Sequence, residues 1–235
     1  MKLKNLVYIS IPILLFSCGK VTPKGNIENK EVQLEEFTSL DLKGKFRVFY
    51  VNSPKNFVTV ETYPNVYNNL DIDVKDKTLS IKEGSETQGV DFYNITIYSK
   101  YNPEKISMSD SVEMNISSAI KTDNFRLNLR NNSKFIGWVN SRKAEVDMAD
   151  KSRANFQGFT KNATLKISDT ASIIAPYWQV NTFNIDSKNG VYVEVNAKDS
   201  IKGNLLNTSK MMYYNDPVRA FKHDKTTKIE NKILN

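Results

Sequence analysis

Cysteine occurs once in this sequence, as Cys18, and histidine once, as His223. With no second thiol there is no intrachain disulfide, so burial and backbone hydrogen bonds must hold the fold. A lone histidine and a lone cysteine cannot supply the several nitrogen or sulfur ligands of a zinc site, so no metal and no cofactor is expected. His223 lies in the polar stretch "RAFKHDK", where a solvated imidazole is expected. Glycine is scarce, nine in 235 residues, and the Gly-Gly-x-Gly-x-Asp repeat of calcium-binding β-rolls does not occur. The apolar run from Leu6 to Phe16 is interrupted by Pro12 and falls far short of the roughly 20 residues that span a bilayer.

That run has another reading. Lys2 and Lys4 precede it, and it ends in Leu15-Phe16-Ser17-Cys18, which resembles the lipobox of bacterial lipoproteins. Ser17 supplies the small residue needed ahead of the cleaved bond, although Phe16 is bulkier than the usual pattern. The resemblance implies that Cys18 becomes the acylated N-terminus, a membrane partner through its lipid chains; two or more chains, at about 0.8 kcal/mol per buried CH2, hold a protein stably. An ordinary secretory signal ending near a cysteine is the alternative, but it leaves an unpaired thiol in an exported protein.

Charge excludes another class. Without the two leader lysines, 31 basic residues face 26 acidic ones, a net charge of +5, and the lysines are interleaved with Asp and Glu. A nucleic-acid partner would ask for a clustered basic stripe with aromatics, so none is expected.

Residues 19–30, "GKVTPKGNIENK", are polar, carry Gly and Pro, and lack periodicity, which predicts a flexible tether. Beyond it, "FTSLDLKGKFRVFYV", "FVTVET", "LDIDV", "TLSI" and "FYNITIY" alternate at period two and are rich in β-branched and aromatic residues. Only "ETYPNVYNNL", with apolar residues at Tyr63, Val66, Tyr67 and Leu70, is compatible with a single helical turn.

From Tyr101 onward a longer period appears. Ile106, Leu127, Val146, Leu165, Ile185 and Leu205 centre six strand-like segments at spacings of 21, 19, 19, 20 and 20 residues. Four positions past each centre stand Asp110, Asn131, Asp150, Asp169, Asn189 and Ser209; eight past stand Met114, Phe135, Ala154, Ile173, Val193 and Tyr213. A unit this short cannot bury its apolar face alone, and stacking copies makes parallel sheets around a continuous core. The expected fold is all-β, a β-helix of about 20-residue coils, with the Asx column turning each corner because Asp and Asn tolerate left-handed backbone. The expected organisation is a leader over 1–17, a tether over 18–30, a shorter-stranded β portion over 31–100 and repeats over 101–235, with 31–235 one continuous domain.

The segments "GNIENKEVQLEEFTSLDLKGKFRVFYV" and "FVTVETYPNVYNNLDIDVKDKTLSI", the corners "SDSVEM" and "SDTASI", and "GNLLNTSKMMYYNDPVRA" together resemble the head GIN domain, a family labelled as adhesins and common in the Bacteroidota. The likeness runs from about Gly25 to the C-terminus. The corners depart from the family's usual Ser-Gly-Ala-Ser, and "NTSKMMYYNDP" departs from its usual last coil. The resemblance implies a right-handed parallel β-helix and a cell-envelope location, and it carries no catalytic motif.

Asp147, Asp150 and Asp169 are the carboxylates that neighbouring coils could gather for a glycosidase or a calcium-dependent lyase, but a turn column gives the same proximity. No catalytic residue is expected. The leading expectation is a non-catalytic, lipid-anchored outer-membrane protein, on the periplasmic face or the cell surface, that binds glycan or protein through Trp138, Tyr177, Trp178, Tyr213 and Tyr214, with Phe156 a further aromatic candidate. A structural or sensory lipoprotein and a polysaccharide lyase are the alternatives. Residues "GKVTPK" lack the acidic residues that surface-exported Bacteroidota lipoproteins tend to carry after the cysteine, which favours the periplasmic face. Ser111, Thr170 and Ser200, each between an Asp and an aliphatic residue, resemble O-glycosylation acceptors of that group.

Overall fold

The computed structural model describes residues 19–233. The leader and Cys18 lie outside the described residues. Alternating segments become strands wherever one face can be buried: β1 (Glu28–Gln33), β2 (Ser39–Gly44), β3 (Arg47–Asn52), β4 (Phe57–Thr62), β5 (Leu70–Lys75), β6 (Thr78–Glu83), β7 (Asn94–Ser99) and β8 (Lys105–Asp110). Longer ones follow: β9 (Glu113–Leu129), β10 (Lys134–Met148), β11 (Arg153–Ser168), β12 (Ser172–Lys188) and β13 (Tyr192–Leu205), then β14 (Lys210–Tyr214), β15 (Val218–His223) and β16 (Lys228–Lys232). Among the described residues the one helix, α1, is the single turn Pro64–Tyr67 inside "ETYPNVYNNL", started by proline at its first turn.

These strands stack into a β-solenoid of about seven turns with coils near 19 residues. Each long strand makes two faces. In β10, Phe135, Gly137, Val139 and Ser141 point inward, the exposed pair Arg142-Lys143 turns the corner, and Ala144, Val146 and Met148 point inward again. Parallel pairing puts Leu165 between Val146 and Ile185, and the column continues through Leu127, Ile106 and Leu40. Leu165 is fully buried. Between the faces runs a chain of aromatic rings: Phe135 and Phe156 are 5.1 Å apart, and Phe156 stacks on Trp178 at 4.5 Å.

The corner column has the backbone that its chemistry predicts. Asp110, Asn131, Asp150, Asp169 and Asn189 all take φ between 59° and 69°, a conformation that costs other L-residues about 1–2 kcal/mol. Unequal spacings are absorbed on the first face as bulges: Gly137 pairs Ile116 while Val139 pairs Ile120, and Asn155 pairs Ile174 while Gln157 pairs Tyr177.

In the sixth coil the register differs from the sequence spacing by two residues. Ile185 pairs with Gly203, whereas Leu205 pairs with Ser187. Gly203 has φ +117°, and a Cβ there would lie 2.1 Å from the Ile185 carbonyl oxygen, so only glycine fits the column. The corner is accordingly made by Asn207 and Thr208, both at positive φ, while Ser209 is buried and donates to the Leu206 carbonyl at 2.6 Å. Met211, not Tyr213, therefore pairs with Val193.

The N-terminal segments are coils of the same solenoid in an order the sequence does not follow. β2 and β3 stack on β8 and β9, and β6 and β7 stack beyond them. Antiparallel β4, β1 and β5 then close that end. Residues 19–27 do not float free as a tether. Val21 bridges Thr87, its N–H donates to Glu86 O at 2.9 Å, the Lys20 ammonium lies 3.2 Å from Glu86, and Asn65 ties down Thr22 and Lys24. Their polar composition reflects an exposed segment that binds its neighbours by backbone and charge.

Candidate functional site

The first face of β10, β11 and β12 carries an outward grid of nine residues. In β10 these are Ile136, Trp138 and Asn140; in β11, Asn155, Gln157 and Phe159; in β12, Ile174, Tyr177 and Gln179. Pairing sets them in columns along the solenoid axis: Ile136–Asn155–Ile174, Trp138–Gln157–Tyr177 and Asn140–Phe159–Gln179. Five are large hydrophobics with exposures from 40% to 65%, Tyr177 the highest; four are amides. None is charged, in a chain where a quarter of residues are. Lysines and arginines stand only around the rim, Lys134 and Arg153 at one side and Arg142 and Lys161 at the other; Lys134 is paired with Glu113.

Trp138 is held in place by its neighbours. Its indole covers Gly158, where an added Cβ would sit 2.6 Å from Trp138 Cδ1 and 2.7 Å from Nε1, and where φ is +107°. Nε1 donates to Asn140 Oδ1 at 3.3 Å, and the same oxygen accepts the Phe159 backbone N–H at 3.0 Å. On β12 an extra residue, Pro176, forms the bulge that lifts Tyr177 outward; proline is tolerated there because the bulge interrupts the ladder. The Pro176 carbonyl accepts from Asn196 Nδ2 at 2.8 Å. A trough of about 440 Å³ lies between these residues, lined by Ile116, Trp138, Asn155, Gln157, Ile174 and Tyr177.

The other aromatic candidates belong elsewhere. Trp178 is fully buried, and its Nε1 donates to Thr160 Oγ1 at 3.0 Å within a buried pair with Ser141. Phe156 is buried against it. Tyr213 is buried at the β13–β14 pairing, its hydroxyl accepting from Arg219 Nη1 at 3.2 Å. Tyr214 is 8% exposed, and its hydroxyl donates to Glu194 Oε1 at 2.7 Å, a contact that with burial raises its pKa to about 12. These four therefore leave the proposed surface: strand alternation with one bulge turns Trp178 inward beside Tyr177, and Tyr213 lies in phase with buried Met211, opposite Val195. Ile136, Phe159 and Ile174 join it instead. Their signal was present in the period-two alternation, which sets each one opposite in phase to a buried neighbour.

A larger concavity, about 810 Å³, runs along the Asx corner between Lys43, Lys45, Glu83, Glu86, Asp110, Asn131 and Asp150. Its groups are engaged with one another: Glu86 with Lys45 and Lys20, Asn131 Nδ2 with Asp110 Oδ1 at 2.9 Å, and the Asn131 N–H with Asp150 Oδ2 at 2.9 Å. Burial raises the Glu83 carboxyl above its ordinary range, opposed by a hydrogen bond from Thr87. The carboxylates considered for catalysis are engaged in such contacts. Asp147 pairs with Arg130 at 2.8 Å, and Asp169 accepts from Ser168 and Asn189, which lower its pKa. His223 is exposed, with Nδ1 3.2 Å from the Asp224 carbonyl. Among the described residues no three His, Cys, Asp or Glu side chains converge as metal ligands.

Of the glycosylation candidates, Thr170 is exposed just past the Asp169 corner, its hydroxyl donating to Asp150 O at 3.1 Å. Ser111 is half-buried after the Asp110 corner, at the edge of the larger concavity. Ser200 lies within β13, its hydroxyl half-buried and 3.4 Å from Thr182 Oγ1.

Residues 36–217 match the family described as "Putative auto-transporter adhesin, head GIN domain". Among solved structures, a putative adhesin from Bacteroides fragilis is similar with a TM-score of 0.82 at 19% identity, covering 90% of this chain and 100% of that one. A putative adhesin from Parabacteroides distasonis gives 0.71 at 16% identity, covering 91% and 100%. A putative lipid binding protein from the same species gives 0.74 at 15% identity with the same coverage. At these identities the likeness shows the fold. No functionally curated protein matches.

Proposed function

Because this chain belongs to the head GIN domain family, we propose that it is a non-catalytic, lipid-anchored adhesin of the cell envelope that binds its ligand through the uncharged face of β10–β12. The observation that carries this reading is the grid itself. A monomeric surface seldom gathers five large hydrophobics without function, and here a glycine at positive φ and a shared amide hold Trp138 in a fixed pose. Proteins that bind extended ligands favour such pre-set aromatics, since little side-chain entropy is lost on contact.

The family's adhesin label supports the absence of catalysis. Among the described residues no helix is long and apolar enough to cross a membrane, and attachment is assigned to Cys18, one residue before the described chain. Because Lys20 to Lys24 are fastened to the coil of β6 and β7, an acyl chain on Cys18 would bring that end of the solenoid against the bilayer, leaving the β10–β12 face several coils away. The periplasmic side of the outer membrane is the assigned location, from the lack of acidic residues after Cys18.

The test is binding of the folded chain to a panel of envelope glycans and envelope proteins, with Trp138→Ala/Tyr177→Ala beside it. Retention of a ligand by the parent and its loss by the double variant, at unchanged melting temperature, supports the reading. A folded parent that retains nothing favours the structural or sensory lipoprotein instead.

A further inference from the structure

The column Trp138–Gln157–Tyr177 alternates ring, amide, ring along the solenoid axis. Coils stack at about 4.8 Å, so the two rings are about 9.6 Å apart with the amide midway. The neighbouring column Ile136–Asn155–Ile174 repeats the alternation with aliphatic side chains. We infer that the ligand of this face is an uncharged, unbranched glycan lying along the solenoid axis, an inference that rests on the face being the binding surface.

Three features of the grid select that class. A pyranose presents a C–H face to a ring and hydroxyls at its edge, so a chain of them needs aromatic platforms interrupted by amides, and Gln157 and Asn155 stand between the platforms. A protein partner's apolar patch would be met better by a continuous apolar centre, with polar groups confined to the rim. Charge is absent from all nine positions, so a uronate or sulfated chain lying in the trough would find no cation beneath it; the rim lysines and arginines lie at the strand ends.

The long direction of the trough is set by the same pairing. Its lining residues come from four successive coils, from Ile116 of β9 to Tyr177 of β12. A linear chain running across the coils keeps one ring-to-ring interval close to the repeat of an extended β-linked disaccharide. A chain running along a strand would meet like neighbours in succession instead of an alternation, Ile136 then Trp138 on β10 and Asn155 then Gln157 on β11. Gly158 and Asn140 act as positioning residues, since they touch Trp138 and set where its ring lies.

The experiment is a titration of the whole chain with neutral β-linked oligosaccharides of increasing length, and with uronate chains of the same lengths, read by calorimetry and by tryptophan emission. Trp138 is half-exposed and Trp178 fully buried, so a ligand on the strip alters and shields only one of the two. Affinity is expected to climb with length for the neutral series until the strip is covered, to depend little on salt, and to fall about tenfold or more in Trp138→Ala and in Tyr177→Ala, with the melting temperature unchanged. Asn140→Ala, which removes the acceptor of the indole N–H while keeping the ring, should weaken neutral chains in the same direction. Preference for the uronate series with steep salt dependence, or binding only to a protein that is still lost in Trp138→Ala, overturns the glycan class and leaves the face as the binding surface. Neutral-chain binding untouched by both aromatic variants overturns the face itself.

Discussion

Asp150 holds the corner of the coil before it: its Oδ2 accepts the backbone N–H of Asn131 at 2.9 Å, while Asp150 turns its own corner at φ 64°. One side chain thus does two jobs, tolerating left-handed backbone and satisfying a neighbour's donor. Asp150→Ala loses both and should cost about 1–2 kcal/mol. Asp150→Asn, which keeps the conformation and an acceptor oxygen, should cost much less. Urea midpoints of the two variants, compared at constant slope, check the order; equal losses would mean that the corner conformation is not what matters.

Leu165 is fully buried between Val146 and Ile185. Truncation to alanine should cost about 2–5 kcal/mol, and Leu165→Asp more, since it places an unpaired charge in the solenoid interior. Thermal melts of both variants read the result. A parent-like melt for the aspartate variant would refute the column.

Asp224 closes the corner of the last coil. Its carboxylate accepts the Asn207 N–H at 2.6 Å, the Thr226 N–H at 2.9 Å and the Thr226 hydroxyl at 2.7 Å, contacts that lower its pKa to about 2. The folded value lies below the unfolded one, so the stabilisation is complete above the ordinary carboxylate range and is lost as pH falls through about 2. Amide exchange at Asn207 and Thr226 should accelerate, relative to the intrinsic rate, over that acid window. In Asp224→Asn the window should vanish; its persistence would assign the acid sensitivity to another group.

Cys18→Ala removes the proposed acylation site and should move the chain from the membrane to the soluble fraction after a salt wash. Retention on membranes would place the anchor elsewhere.

Thr170 and Ser111 follow the Asp169 and Asp110 corners, and Thr170 is exposed. Intact mass of the chain from its own host should exceed the lipidated mass by a glycan that Thr170→Ala and Ser111→Ala reduce. A lipidated mass with nothing added would remove both sites.

The amino-acid sequence by itself determined the solenoid. Period-two alternation within segments, a return every 19 to 21 residues and an Asp or Asn at five of the six returns leave one packing in which every apolar column is covered, and those five corners have the backbone that their residues favour. Tertiary structure decided what spacing cannot encode. The stacking order of β6–β7 beyond β2–β3 depends on which edges remain free once β8 and β9 are in place, a contact between segments rather than a property of either. The shift to Gly203 follows from a backbone contact with Ile185 that no local pattern contains. The face of β10–β12 was legible only in part: Trp138 and Tyr177 stand out as aromatics, but a single bulge residue at Pro176 decides that Tyr177 points to solvent and Trp178 to the core. Side-chain direction in a strand has period two, so one inserted residue reverses every assignment after it, and only the paired coils reveal where that residue sits.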